Sequence, residues 1–164
     1  MSLSNQPSEA IPGTIQQSYQ IDAELLPFFR QEASEIFSNF EKTLSHWEIT
    51  PADPSPSKII LRLFHTIKGS AHSIGLIPIG KLAHEMEDIM KSFCDGIVSY
   101  ESQTLIHTIR SVVNGIRTLL ESIPAGSSFN PSHSLLTDLN EQIQSLKSNP
   151  IAKIDHPDPS GVHP

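Results

Sequence analysis

A single cysteine, Cys94, is the chain's whole thiol content. One cysteine rules out an internal disulfide and any zinc site built on several thiolates. No apolar run approaches the roughly 20 residues that a membrane-crossing helix requires. The opening residues, MSLSNQPSEAIPG, have neither the basic start nor the apolar stretch of a secretion signal. These absences lead us to expect a cytoplasmic protein with no membrane segment. Positive charge is scarce as well: 11 Lys+Arg stand against 18 Asp+Glu, a formal net charge of −7. A chain of that sign is a poor candidate for binding nucleic acid or anionic lipid. Its 164 residues are enough for one domain with a proper core.

Proline is absent between Pro78 and Pro124, although the chain has 13 in all. The others punctuate it. Pro7 and Pro12 lie in a polar leader, Pro51, Pro54 and Pro56 in one loop, and Pro124 and Pro131 around another. Pro150, Pro157, Pro159 and Pro164 mark the end. Between these marks the apolar residues recur at spacings of three and four, the helical period. The first segment runs from about Asp22 to Glu48, with Phe29, Ala33, Ile36, Phe40, Leu44 and Trp47 on its stripe. Pro27 moves its start toward Leu26, because proline is tolerated in a first turn. The second runs from about Ser57 to Ile74, ahead of Gly75, with Ile60, Phe64, Ile67, Ala71 and Ile74 inward. The third starts near Pro78 and ends near Asp95-Gly96, with Leu82, Met86, Ile89 and Phe93 inward. The fourth spans about Ser102 to Glu121 and the fifth about Pro131 to Lys147. No segment alternates with period two. The expectation is an all-α protein: an antiparallel four-helix bundle with an additional C-terminal helix packed on its outside. The domain is expected over residues 20–147, between a disordered leader, 1–19, and a disordered tail, 148–164.

Acidic residues are missing from one window. From Pro54 to His84 there is no Asp or Glu, while Lys58, Arg62, Lys68, Lys81, His65, His72 and His84 all fall inside it. In a chain of net −7 this concentrates positive potential around the second helix; two readings are open, a solvated helix face whose spacing is chance, or a docking face for something anionic, a phosphate or the acidic pocket of a partner protein.

That helix carries the chemistry. With the apolar stripe buried, His65, Lys68, Gly69 and His72 share the opposite side, at spacings i, i+3, i+4 and i+7. An exposed imidazole, with an ordinary pKa of about 6.5, is a competent nucleophile near neutral pH. Its attack on a phosphoryl group gives a phosphoramidate of high transfer potential, and a nearby ammonium offsets the phosphoryl charge. A carboxylate on the other ring nitrogen would fix the tautomer. Glu87, one turn after His84 on the third helix, comes within reach of His65 or Lys68 if the two helices run antiparallel. Gly69 in mid-helix costs about 1 kcal/mol relative to Ala. Two explanations are open: another surface approaches the backbone there, or the glycine relieves packing against a neighbouring helix.

The run Leu63-Phe64-His65-Thr66-Ile67-Lys68-Gly69-Ser70-Ala71 resembles the histidine phosphotransfer (HPt) signature, His-x-x-Lys-Gly followed by small residues. Phe28-Phe29-Arg30-Gln31-Glu32-Ala33, His84-Glu85-Met86-Glu87 and the Asp95-Gly96 turn extend the likeness over about residues 20–147. The whole resembles the amino-terminal phosphotransfer domain of CheA-type chemotaxis kinases. The resemblance implies that His65 accepts the phosphoryl group, that Lys68 stabilises it, that Glu87 hydrogen-bonds the imidazole, and that His84 joins the same network. Leu61, Arg62, Gly69 and His72 would meet the partner. The donor would be the ATP-binding domain of a histidine kinase and the acceptor an aspartate of a response-regulator receiver domain. ATP and Mg²⁺ would belong to those domains, and the chain itself would hold no cofactor or metal. The chain would be no enzyme by itself, but the N-terminal fragment of a CheA-like or hybrid kinase, monomeric as a fragment.

Two other readings compete. His65, His72, His84 and Glu87 could converge on a metal, although His65 and His72 point away from the core stripe. His84-Glu85-Met86-Glu87-Asp88 is a poor HExxH, ending in Asp88 where the second histidine belongs. The same residues could also be the surface of a helical adaptor bundle that is never phosphorylated. Cys94 and Trp47 read as packing residues.

Overall fold

The computed structural model describes residues 17–153. Five helices dominate: α1 (Leu26–Ile49), α2 (Ser55–Ser73), α3 (Ile77–Cys94), α4 (Ser102–Glu121) and α5 (His133–Ser148). Their starts follow local chemistry. Before α1, the Asp22 carboxylate accepts the N–H groups of Glu24 and Leu25, and Pro27 sits in the first turn. This sets the start at Leu26. α2 begins two residues earlier than the apolar stripe predicts, because the Asp53 carboxylate accepts the Ser55 N–H and Pro56 fits the first turn. Glu101 caps α4 through the N–H groups of Gln103 and Thr104. α5 begins two residues later than expected, because Ser132 is its cap and accepts the Leu135 N–H.

The helices alternate in direction. His72 of α2 lies against Gly80 of α3, and His65 reaches Glu87, so residue numbers climb in one helix as they fall in the other. Arg117 of α4 stacks on Phe37 of α1, while Arg110 pairs with Glu48, which shows the same reversal. α1 to α4 form a ring around one core, in which Phe40, Leu44, Ile60, Phe64, Ile67, Met86, Met90 and Leu105 are fully buried. Phe40 and Phe64 meet at 4.8 Å between ring centres. α5 lies outside the ring against α3 and α4, burying Leu139, Ile143 and Leu146. Gly115 makes this possible, since a Cβ there would collide with the Leu139 side chain. Trp47 belongs to the core and packs on Phe93.

Two short antiparallel ladders are outside what periodicity predicts. β1 (Tyr19–Gln20) pairs with β3 (Ser128–Phe129), in register Tyr19 with Phe129. β2 (Val98–Ser99) pairs with β4 (Ala152–Lys153), in register Val98 with Lys153. Hydrogen-bonded backbone therefore passes both expected edges of the domain, at 20 and 147. Tyr19 and the stretch 148–153, assigned above to disordered flanks, are tied to the bundle by these bonds. The rest of the expected leader, 1–16, and of the tail, 154–164, lies outside the described residues. Among the described residues no helix is long and apolar enough to cross a membrane.

Candidate functional site

The turn between α2 and α3 sets the site. Gly75 takes φ +88°, and the chain reverses within Ile74-Gly75-Leu76. At the next contact up, Gly80 has no Cβ where the His72 imidazole rests. A Cβ would lie 2.5 Å from its Nε2. The two helices are thus drawn together, and the register puts the middle of α2 opposite Glu87.

Glu87 is the centre of the constellation. Its Oε1 lies 2.5 Å from His65 Nδ1, and its Oε2 lies 2.5 Å from Lys68 Nζ. The sequence leaves open whether Glu87 reaches His65 or Lys68; it reaches both. The Glu87 side chain is 14% exposed, Lys68 25% and His65 69%. Oε2 is buried and has no aligned hydrogen bond, so the Lys68 ammonium compensates it as an ion pair. Burial pushes the Glu87 pKa up, but Lys68 and His65 outweigh that and hold it below its ordinary 4.5. An ionised carboxylate only accepts, so the shared hydrogen belongs to His65 Nδ1. Nε2 then carries the lone pair and faces solvent on an exposed ring. A fixed tautomer with an outward lone pair is what nucleophilic attack by imidazole requires.

His84 stands at the rim. Its Nδ1 is 3.8 Å from Glu87 Oε2, and its Nε2 is 3.5 Å from Asp88. Asp88 was not among the expected site residues, although its i, i+4 spacing from His84 was visible. The four residues His65, Lys68, Glu87 and His84 therefore come together, with Asp88 as an outer fifth. His72 is apart from them, over Gly80, so the proposed set of His65, His72, His84 and Glu87 does not gather. Among the described residues no group of three or more His, Cys, Asp or Glu is arranged to hold a metal ion.

The remaining expected residues flank His65 along α2. Arg62 and Gly69 are exposed and Leu61 is half-buried. A Cβ on Gly69 would meet nothing within 4 Å. Relief of packing inside the domain is thus not the reason for that glycine; Gly80 and Gly115 do that work. Gly69 leaves a bare stretch of backbone one turn from His65.

A family model of the Hpt domain matches residues 24–149. The chain is 28% identical over 97 residues to the chemotaxis protein CheA of Borreliella burgdorferi, covering 59% of this chain and 11% of that protein. It is 27% identical over 127 residues to the sensor histidine kinase CheAY of Helicobacter pylori, covering 76% of this chain and 16% of that protein. The chain thus spans only a small part of the length of these relatives.

Proposed function

The chain belongs to the Hpt domain family, and on that footing we propose that His65 is the residue that accepts and passes on its phosphoryl group. A domain of this family is a phosphotransfer module of a phosphorelay and no complete enzyme. The observation that carries the assignment is the contact between His65 Nδ1 and Glu87, which leaves Nε2 outward on an exposed ring. In the forward step, Nε2 attacks the γ-phosphorus of ATP held by a histidine-kinase catalytic domain. The N–P bond forms as the bond to the ADP oxygen breaks. Positive charge developing on the ring is held by Glu87 through the Nδ1 hydrogen. Lys68 faces the phosphoryl oxygens as they arrive. In the second step a receiver-domain aspartate attacks the same phosphorus, the N–P bond breaks, and the ring returns to its starting tautomer. ATP and Mg²⁺ belong to the partner domains. The setting is the cytoplasm, within a CheA-like or hybrid kinase. His84 and Asp88 support the rim, and Leu61, Arg62, Gly69 and His72 flank the approach.

The test is phosphorylation by a CheA-type kinase domain with labelled ATP. The adduct should be acid-labile and alkali-stable, and His65→Gln should abolish it with the helical content unchanged. Label surviving in that variant would place the acceptor elsewhere.

A further inference from the structure

Across the ring of helices from the α2–α3 seam, α1 and α4 part to leave a groove of about 470 Å³. Small-molecule sites usually measure about 300–1,000 Å³. α1 contributes Arg30, Ser34, Phe37 and Ser38, which share a face at helical spacing. α4 contributes Arg117, Leu120 and Glu121. Phe37 and Leu120 are buried and make an apolar floor.

Both guanidinium groups in the groove are held at one part and open at another. Arg30 Nη2 donates to the carbonyls of Leu120 and Ile123, at 3.4 and 2.7 Å, which fixes the side chain across the end of α4. Its Nε and Nη1 make no hydrogen bond among the described residues. Arg117 is half-buried, with its guanidinium carbon 5.1 Å from the centre of the Phe37 ring. The ring face attracts the charge, but the in-plane N–H groups call for a planar acceptor such as a carboxylate. Among the described residues neither arginine has one. Glu121 lines the same groove, is exposed and pairs with neither.

We propose that this groove binds a small organic anion, one carboxylate on a flat apolar body, of the aryl carboxylate class. The body rests on the Phe37–Leu120 floor and along the aliphatic stems of the arginines. The carboxylate takes the in-plane N–H groups of Arg117, to which its own geometry is matched. Arg30 adds a second positive charge, and Ser34 and Ser38 offer hydroxyls to polar substituents. Two arginines against one glutamate leave the groove a single positive charge, which suits a monoanion and disfavours a polyphosphate. The site lies on the far seam from His65 and does not rest on the reading of that residue.

The experiment titrates the full, isotope-labelled chain with cinnamate, its neutral amide cinnamamide and inorganic phosphate, and follows the backbone amides by NMR. Cinnamate should saturate at about millimolar concentration, as its size allows, with shifts confined to α1 and α4 around Phe37 and Leu120. Cinnamamide should bind about tenfold more weakly or worse, because it forgoes the charge-assisted pair. Phosphate should not displace cinnamate. Arg117→Met keeps a stem over Phe37 and should lose about tenfold or more in affinity. Ser34→Trp fills the groove and should abolish binding with the helical content unchanged. Cinnamate that does not saturate, cinnamamide that binds as well, phosphate that displaces it, or binding kept by either variant would each overturn the site. So would shifts of the same amides with chain concentration alone, which would put a second copy of the chain in the groove. His65→Gln should bind cinnamate as the parent does, so loss of label in that variant and loss of cinnamate binding report on separate claims.

Discussion

At the scale of single residues, one carboxylate organises the site. Glu87 holds His65 with one oxygen and Lys68 with the other, so its charge fixes the tautomer, and its length fixes where the ammonium rests. Glu87→Gln keeps the shape and removes the charge. The amide can present its N–H to His65 and so favour the wrong tautomer. We expect phosphoryl acceptance to slow by about tenfold or more, since loss of a carboxylate that orients an imidazole costs about 10–100-fold at metal-bound histidines and more at a catalytic triad. Stability gives an independent check. The folded pKa of Glu87 is depressed, so its ion pair contributes stability above the ordinary 4.5, and that contribution is lost as pH falls through the lower folded value. Acid unfolding of the parent chain should therefore be steeper below pH 4.5 than that of Glu87→Gln; superimposable curves would show that the pair contributes nothing. His65, Lys68 and Glu87 were all legible from spacing. That Glu87 reaches both His65 and Lys68, and that His84 turns toward Asp88, was not, because both depend on helix register to within one residue. That register is set by Gly75 and Gly80, at a turn whose geometry no periodicity encodes.

At the scale of elements, two glycines in α2 and α3 have opposite roles, and substitution separates them. Gly69 is helical, exposed and free of neighbours, so Gly69→Ala should stabilise α2 by up to about 1 kcal/mol through helix propensity alone. The added methyl lies on the approach to His65, and transfer to a partner should slow even as the Tm rises. Gly80 is buried under His72, so Gly80→Ala must push that ring away or part the helices, at a cost of about 1–3 kcal/mol. A Gly69→Ala chain that is less stable than the parent would mean that the helix needs glycine there for itself. The apolar stripes, and with them the five helices, were plain in the sequence, since Phe64, Ile67 and Ala71 can share a face only at helical period. Helix ends were less plain. Asp53 and Ser132 moved two of them by capping, through side chains that carry no periodicity. Neither two-residue ladder is long enough to display alternation.

At the scale of the whole molecule, those ladders close the two ends of the bundle. α3 runs from one to the other: β1 lies by the α2–α3 turn, and β2 follows the last turn of α3. Asp22 donates its N–H to the Ile74 carbonyl and Ile21 to that of Ser127, so the segment before α1 fastens the α2–α3 turn to the α4–α5 loop. Gly75 is part of the fastening, because a Cβ there would strike the Gln20 carbonyl. Ile21 and Phe129 are buried by this arrangement. The family match ends inside it, at 24 and 149. A chain cut to residues 24–149 therefore keeps all the site residues and loses both ladders. Losing the burial of Ile21 and uncovering Phe129 should cost about 2–3 kcal/mol, a drop of several degrees in Tm for a domain of this size. The contact of His65 with Glu87 lies in the middle of α2 and α3, away from either ladder, so phosphoryl acceptance at low temperature should be unchanged. Equal melting of the cut and full chains would show the ladders to be passive. A cut chain that melts lower and also accepts the phosphoryl group more slowly in the cold would show that the ends of the bundle hold the helix register on which the site depends.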